Sequence, residues 1–405
     1  MRVNRREFLK STALGFTALT LGGGVYAEYR ENITIERIDV FPVRYPTVMR
    51  FKFFEGPTSG GGRPAVLIKI TASDGTVGWG ESVPIPRWSY ETLEGAVSTI
   101  EHYLKPILLG QNPFDLEAIH GLMNKEIANG FSTGAPITKA GIDIALHDLM
   151  GKVAGLNIAQ LWGRTTPDDL LLSWTLNPKN LDDLDPLIDK GLARGYDNFN
   201  IKVAPDTDFD VAMAKRLRER VPGTFLWADA NGGYDLATAL DAIPRLADAG
   251  VDVLEQPLRP NRITGYQEIK RQGALPIYLD EGMVSPSDLF EFIKLGCCDG
   301  VAMKPARCGG LRSAVQQIEI ARDAGLGFLG SGLTDPDVSL AASLILYGAF
   351  GLTRPAALNG PQFLGTSVIT DPFTPEGGRV RIPKGPGLGI EVDEAKLNAL
   401  VEASA

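Results

Sequence analysis

Lys202, Asp229, Glu255, Asp280 and Lys304 follow one another at separations of 27, 26, 25 and 24 residues. Asn231 stands two positions after the first carboxylate, and Glu281 directly follows Asp280. Charged side chains are rarely buried unless paired or metal-bound. Five of them at one phase of a repeat therefore mark a site rather than scattered ion pairs. Three carboxylates brought together suit a hard cation with oxygen ligands. Magnesium takes few protein carboxylates and leaves positions for substrate and water. Zinc prefers histidine or cysteine, and neither stands at these positions. A carboxylate substrate bound to such a cation becomes acidic at its α-carbon. Loss of that proton leaves an enediolate with two negative oxygens, which the cation stabilises. The base must be neutral at working pH, and lysine serves when nearby cations and desolvation lower its pKa. Lys202 and Lys304 flank the carboxylates and can address opposite faces of a planar enediolate.

Positioning these residues requires a repeat of strand and helix. Short apolar runs at 170–176, 199–203, 225–230, 251–257, 276–281, 301–305 and 327–332 have the length of buried strands, and 356–364 offers an eighth. The better helices between them cover 208–221, 236–249, 285–295, 311–324 and 338–350. This pattern predicts βα units closing into a barrel, whose active residues come from the carboxyl ends of the strands. An open doubly wound sheet would show a glycine fingerprint after its first strand, and none follows Leu176. Before the barrel, alternation over 33–46, a hairpin at 65–70 and 77–80 around Asp74-Gly75, and helical periodicity over 90–108 and 135–152 predict an α+β domain. Its segment 51–63, with Gly60-Gly61-Gly62, reads as a flexible loop. Residues 379–390 read as a strand returning to this domain.

The chain has 405 residues, 44% hydrophobic and 22% charged, and suits two domains of a soluble protein. Its beginning is different. Asn4-Arg5-Arg6-Glu7-Phe8-Leu9-Lys10 precedes a mildly apolar run over 11–24 and then Val25-Tyr26-Ala27. This order is that of an export signal, too short for a membrane span, and the paired arginines resemble the bacterial twin-arginine signal. The expected partition is a signal peptide at 1–27, a capping domain at 28–160, a barrel at 161–390 and a returning segment at 391–405. The mature protein is expected in the periplasm or otherwise exported, without stable membrane association. Loss of four basic residues and Glu7 would take the formal charge from −9 to −12, which excludes nucleic acid as a partner. Cys297, Cys298 and Cys308 have neither the number nor the spacing of a disulfide framework or a thiolate zinc site.

The charged motifs resemble those of the enolase superfamily, in its muconate-lactonizing-enzyme subgroup, within the mandelate racemase/muconate lactonizing enzyme family. Asn200-Ile201-Lys202 is similar to its Lys-x-Lys strand. Trp227-Ala228-Asp229-Ala230-Asn231, Leu254-Glu255-Gln256-Pro257 and Leu279-Asp280-Glu281 are similar to its three metal strands. Lys304 with Gly309-Gly310, the helix over 140–151, and Gly385-Pro386-Gly387-Leu388-Gly389 complete the likeness. The resemblance implies a modified (β/α)7β TIM-like barrel under an N-terminal α+β capping domain. It implies Mg2+, or alternatively Mn2+, on Asp229, Glu255 and Asp280, with Lys202 and Lys304 as acid/base residues. Asn200 departs from the pattern: in the family a lysine there helps hold the substrate carboxylate and lowers the pKa of the second lysine. No histidine follows His147, which removes the histidine base of mandelate racemase relatives. Ala357-Leu358-Asn359 replaces the Asp-x-Asp with which dipeptide epimerases grip a substrate ammonium. His147 stands where relatives often have tryptophan and reads as a packed helix residue.

The expected function is a racemase or epimerase of a small carboxylate such as an N-substituted amino acid. A dehydratase or cycloisomerase, and an exported solute-binding protein without catalysis, are the alternatives. Asn200, Asn231, Glu281, Asp335, Asn359, Arg87 and Trp88 are the candidate substrate or supporting residues. Phe53, Phe54 and Tyr90 are further capping-loop candidates, and Asp335 and Asp337 have an alternative as N-caps of the helix at Val338. Besides the small-molecule carboxylate, the expected partner is the twin-arginine translocation machinery, with homo-oligomerisation left open.

Overall fold

The computed structural model describes residues 33–54 and 62–404. The expected signal, with Arg5 and Arg6, and the glycines Gly60 and Gly61 lie outside the described residues. The first unit is an antiparallel sheet of β1 (Ile35–Pro46), β2 (Gly62–Ala72) and β3 (Val77–Ser82). The β2–β3 turn forms where Asp74 Oδ1 accepts from the Thr76 amide at 2.9 Å and Gly75 takes φ +84°. Helix Pro136–Ala154 lies across this sheet and is buried from Pro136 to Gly151. Gly78 and Gly80 of β3 allow that approach, because a Cβ on either would overlap the helix backbone at Ala145 or Gly141.

The second unit is a parallel sheet in chain order: β5 (Trp174–Leu176), β6 (Phe199–Lys202), β7 (Leu226–Asp229), β8 (Val253–Glu255), β9 (Ile277–Leu279), β10 (Gly300–Met303) and β11 (Gly327–Gly330). The expected eighth strand over 356–364 is reduced to two bridging residues. Ala357 pairs with Ser331 and Ala356 with Leu172, closing β11 toward β5, and the chain then turns into helix Gly360–Phe363. The fold is thus the expected TIM-like barrel with an antiparallel-stranded capping domain. Between the strands lie helices that include Thr207–Arg220, Leu236–Asp248 and Pro286–Lys294, N-capped by Asp206, Asp235 and Ser285. Leu116–Glu126, Leu184–Ala193 and Ile263–Gln272 are helices that the periodicity reading did not separate from their surroundings.

The expected strand over 379–390 also differs. Only β12 (Arg379–Arg381) is extended, and it pairs with β4 (Asp169–Leu171) beside the barrel, not with the capping sheet. What reaches the capping sheet is helix Glu394–Ser404, whose Ser404 Oγ accepts from the Arg44 amide at 2.8 Å.

Strand side chains alternate, so residues two apart share a face. Asn200 with Lys202, Trp227 with Asp229, and Val253 with Glu255 therefore point the same way. Trp227, Val253, Ala302, Leu329 and Ala357 pack together as one apolar layer. The charged residues form the next layer, at the carboxyl ends of the strands.

Candidate active site

Strand register brings the charges together. Lys202 pairs with Asp229 across β6–β7, and Asp229 with Glu255 across β7–β8. Asp280 follows β9 directly and Lys304 follows β10. Asp229, Glu255, Asp280 and Lys304 are each at most 2% exposed. Lys202 Nζ donates to Asp229 Oδ2, and Lys304 Nζ donates to Asp280 Oδ2 and, at 3.3 Å, to Glu255 Oε1. The Asn231 amide donates to Asp229 Oδ1 at 2.9 Å, and Asn231 Nδ2 reaches both Asp229 Oδ2 at 3.0 Å and Glu281 Oε1 at 3.2 Å. The five in-phase charges, Asn231 and Glu281 thus form one cluster.

Burial and mutual charge set their proton affinities. Burial and then the Asp229 charge push the Glu255 carboxyl well up. Burial pushes Asp280 the same way, but Arg307 and Lys304 outweigh it and hold its carboxyl below the usual range. Burial lowers Lys304, and Asp280 with Glu255 more than restore it. Glu281 is pushed up to about 7 by burial and by Asp280.

Arg307 belongs to this site, although it does not share the strand-end phase. It is 1% exposed, and its Nε lies 3.1 Å from Asp280 Oδ1. Its Nη1 and Nη2 have no hydrogen-bond partner among the described residues. The Arg307 amide donates to the Lys304 carbonyl at 2.9 Å, so a turn carries it back to the same mouth. A cation three residues beyond Lys304 was the available sequence signal.

Capping residues close the mouth. The Trp88 indole lies 5.6 Å from Lys202 Nζ, 5.1 Å from Lys304 Nζ and 5.8 Å from the Arg307 guanidinium carbon. Its Nε1 donates to Glu281 Oε1 at 3.1 Å, and Phe53 stacks on it at 4.5 Å. Phe51 lies 5.9 Å from Lys202 Nζ, and Lys52 beside it has its ammonium pushed down to about 8 by burial and then by Lys202.

Other sequence candidates lie elsewhere. Arg87 is exposed and lines a separate pocket with Arg44, Phe54 and Leu93. Tyr90 is exposed at a neighbouring cleft with Phe131, Glu281 and Phe292. Asp335 is buried, its carboxylate accepting from the Leu333 amide at 3.0 Å and Ser343 Oγ at 3.2 Å, so the fold itself uses the oxygens proposed for a substrate. Nor do Asp335 and Asp337 cap the helix. Pro336 holds that position, and Asp337 accepts from the Val368 amide at 2.8 Å. Asn200 Oδ1 accepts from Ser173 Oγ and Thr175 Oγ1 at 3.1 and 2.9 Å, and Asn359 Nδ2 donates to Thr175 Oγ1 at 3.2 Å. Asn200 and Asn359 are thus joined through Thr175 within the barrel mouth. His147 packs in its helix, with Nδ1 2.8 Å from the Asp143 carbonyl.

The cluster has the composition of a divalent-cation site. Among the described residues, no three of Asp, Glu, His or Cys already form a cation cage, because the lysine ammonium groups lie between the carboxylates. The donor chemistry nevertheless fits. Asp280 Oδ1, Asn231 Oδ1 and Glu281 Oε2 are buried oxygens with no hydrogen-bond donor among the described residues. They stand past the ends of β7 and β9, on either side of β8, and such oxygens suit a hard ion. Four carboxylates also outnumber Lys202, Lys304 and Arg307 by one.

Residues 184–396 match the family model described as "Enolase C-terminal domain-like". Residues 37–163 match "Mandelate racemase / muconate lactonizing enzyme, N-terminal domain". The chain is 30% identical over 387 residues to the chloromuconate cycloisomerase of Cupriavidus necator, covering 92% of this chain and 99% of that protein. It is 29% identical over 372 residues to the N-succinyl-L-Arg/Lys racemase of Bacillus cereus, covering 90% and 97%. The crystal structure of 2-chloromuconate cycloisomerase from Rhodococcus opacus matches with a TM-score of 0.83 at 27% identity, covering 91% of this chain and 99% of that one.

Proposed function

Because the chain belongs to the mandelate racemase/muconate lactonizing enzyme family of the enolase superfamily, we propose that it is an isomerase that moves the proton α to a substrate carboxylate from one face of the carbon to the other. The carrying observation is that Lys202 and Lys304 come from strands on either side of the carboxylates yet lie 5.6 and 5.1 Å from one indole. Both ammonium groups thus border one small volume, as acid and base on a shared carbon must.

Enzymes of this superfamily generally use Mg2+ or Mn2+, and Asp229, Glu255 and Asp280 would hold the ion here. Such an ion supplies charge stabilisation at the substrate carboxylate. Four carboxylates balance a divalent ion, Arg307 and one ammonium, which leaves the other lysine neutral, as a general base must be. Lys202 takes the proton on one face while Lys304, as ammonium, delivers one on the other. Trp88 and Phe53 exclude water from the reacting carbon. Asn231 and the Trp88 indole orient Glu281, and the Asn200–Thr175–Asn359 chain lines the mouth below Lys202.

The favoured substrate is an N-substituted amino acid, in line with the relative that racemises N-succinyl-L-Arg/Lys and with Asn359 in place of a carboxylate grip. Lys52 on the Lys202 side suits a second anionic group. Cycloisomerisation is the second reading, favoured by the 30% identity to a chloromuconate cycloisomerase. Incubation in heavy water with N-succinyl amino acids and with muconates, in the presence of Mg2+, separates the two. The proposal expects α-deuteration with inversion. Lactone or dehydrated product without inverted substrate would overturn it. We further propose that Arg5-Arg6 direct export through the twin-arginine machinery.

A further inference from the structure

The strand that carries Glu255 continues into Gln256, and this residue touches the ends of all three carboxylate strands. Gln256 is 0% exposed and has φ +40°. That left-handed backbone is strained for a residue with a side chain, and glycine would relieve it. What glycine lacks is the carboxamide. Gln256 Oε1 accepts from the Asp280 amide at 2.8 Å and from the Gly282 amide at 3.3 Å. These bonds bracket the two residues, Asp280 and Glu281, whose side chains enter the site from β9. The backbone makes the other two ties. The Gln256 amide donates to the Tyr278 carbonyl at 2.8 Å, and its carbonyl accepts from the Gly232 amide, just past Asn231, at 2.7 Å.

The carboxamide is itself fixed from behind. Its Nε2 donates to the Leu258 carbonyl at 2.8 Å and to the Tyr266 hydroxyl at 2.5 Å. Tyr266, 0% exposed on helix Ile263–Gln272, donates its own hydroxyl hydrogen bond to the same Leu258 carbonyl. With Nε2 committed to these acceptors, the amide cannot flip, and Oε1 must face Asp280 and Gly282. The rigid helix outside the barrel thereby sets the position of a strand end inside it.

From this connectivity we infer that Gln256 is the positioning residue of the cation site: it holds Asp280 and Glu281 at the spacing from Asp229 and Glu255 that a divalent ion requires, with Tyr266 as its brace. The inference rests on the proposed assignment of the ion to Asp229, Glu255 and Asp280. Residues that orient metal ligands typically change metal affinity about 10–100-fold when altered.

The experiment titrates Mn2+ into the full-length protein by electron paramagnetic resonance, with thermal melts recorded in parallel. Gln256→Met keeps the length of the side chain and removes every side-chain hydrogen bond, leaving the two backbone ties. Its expected effect is a loss of Mn2+ affinity of about 10-fold or more. Tyr266→Phe removes only the brace, and a smaller loss in the same direction is expected. If Gln256→Met does not fold, Tyr266→Phe decides the matter alone. Wild-type Mn2+ affinity in the folded variants, even with lowered melting temperature, would mean a purely structural role and overturn the inference. Asp280→Asn separates this from the underlying proposal. If Asp280→Asn also binds Mn2+ like wild type, the fault lies in the carboxylate assignment, and the positioning role falls with it.

Discussion

Lys304→Met offers a test of the site that needs no substrate. Methionine keeps most of the side-chain volume and removes the charge. Lys304 is 2% exposed and serves both Asp280 and Glu255, so its loss leaves four carboxylates facing only Lys202 and Arg307. Breaking a buried pair by removing one partner costs about 3–5 kcal/mol. For a cooperative unit of roughly 200–250 residues, an unfolding entropy of about 2.1 cal/mol/K per residue converts this to a melting-point drop of about 6–12 °C. Part of that cost is relieved when Glu255 takes up a proton, since its carboxyl is already pushed well up. The drop is therefore larger at pH 8 than at pH 6. A divalent cation restores the missing charge. At about 100 times its dissociation constant it adds about 2.7 kcal/mol, and it binds the variant more tightly than the wild type because the ammonium on Asp280 and Glu255 no longer competes. The assay is a pair of thermal melts, in EDTA and in excess Mg2+, for both proteins at both pH values. A variant that melts with the wild type in EDTA, or gains no more from Mg2+ than the wild type does, would refute the charge reasoning.

In heavy water, Lys202→Ala should block α-deuteration of one substrate enantiomer and Lys304→Ala that of the other, each by roughly 10²–10⁴-fold; wild-type exchange in both variants removes these lysines from the reaction. Glu81 is buried at the end of β3, accepts from Tyr45 Oη at 2.9 Å and the Ser339 amide at 3.0 Å, and is pushed up to about 8 chiefly by burial. Its folded pKa exceeds the unfolded value of about 4.3, so the folded state holds a proton that the unfolded state releases, and stability falls as pH rises through that window up to about 8. The melting temperature of wild type relative to Glu81→Gln should decline from pH 5 to pH 8, and a constant difference would contradict the shift. Replacing Arg5 and Arg6 by lysine should leave the protein in the cytoplasmic fraction of cells that export it; unchanged periplasmic delivery would rule out the twin-arginine route.

Much of the molecule was legible from spacing. The strand runs, five of the helices between them and the five in-phase charges follow from local periodicity and from the rule that strand ends share one mouth. Structure was needed where a residue's role depends on what folds against it. The strand expected over 356–364 shrank to Ala356 and Ala357, because closing the barrel needs only a bridge on each side. Asp335 carries the charge a substrate contact would need, yet the Leu333 amide and Ser343 use its oxygens. Trp88 and Arg87 are neighbours in sequence, but only Trp88 lies over the lysines.

The sequence by itself determined that the five strand-end charges meet, since charged residues at one phase of a βα repeat need only the repeat to converge. Tertiary structure decided what surrounds them. Arg307 enters through a turn off the strand phase, Phe53 and Trp88 descend from a different domain, and Gln256 faces Asp280 only because Tyr266 fixes its amide from an outer helix. Such contacts depend on the direction of a side chain and on elements distant in the chain, and a local pattern carries neither.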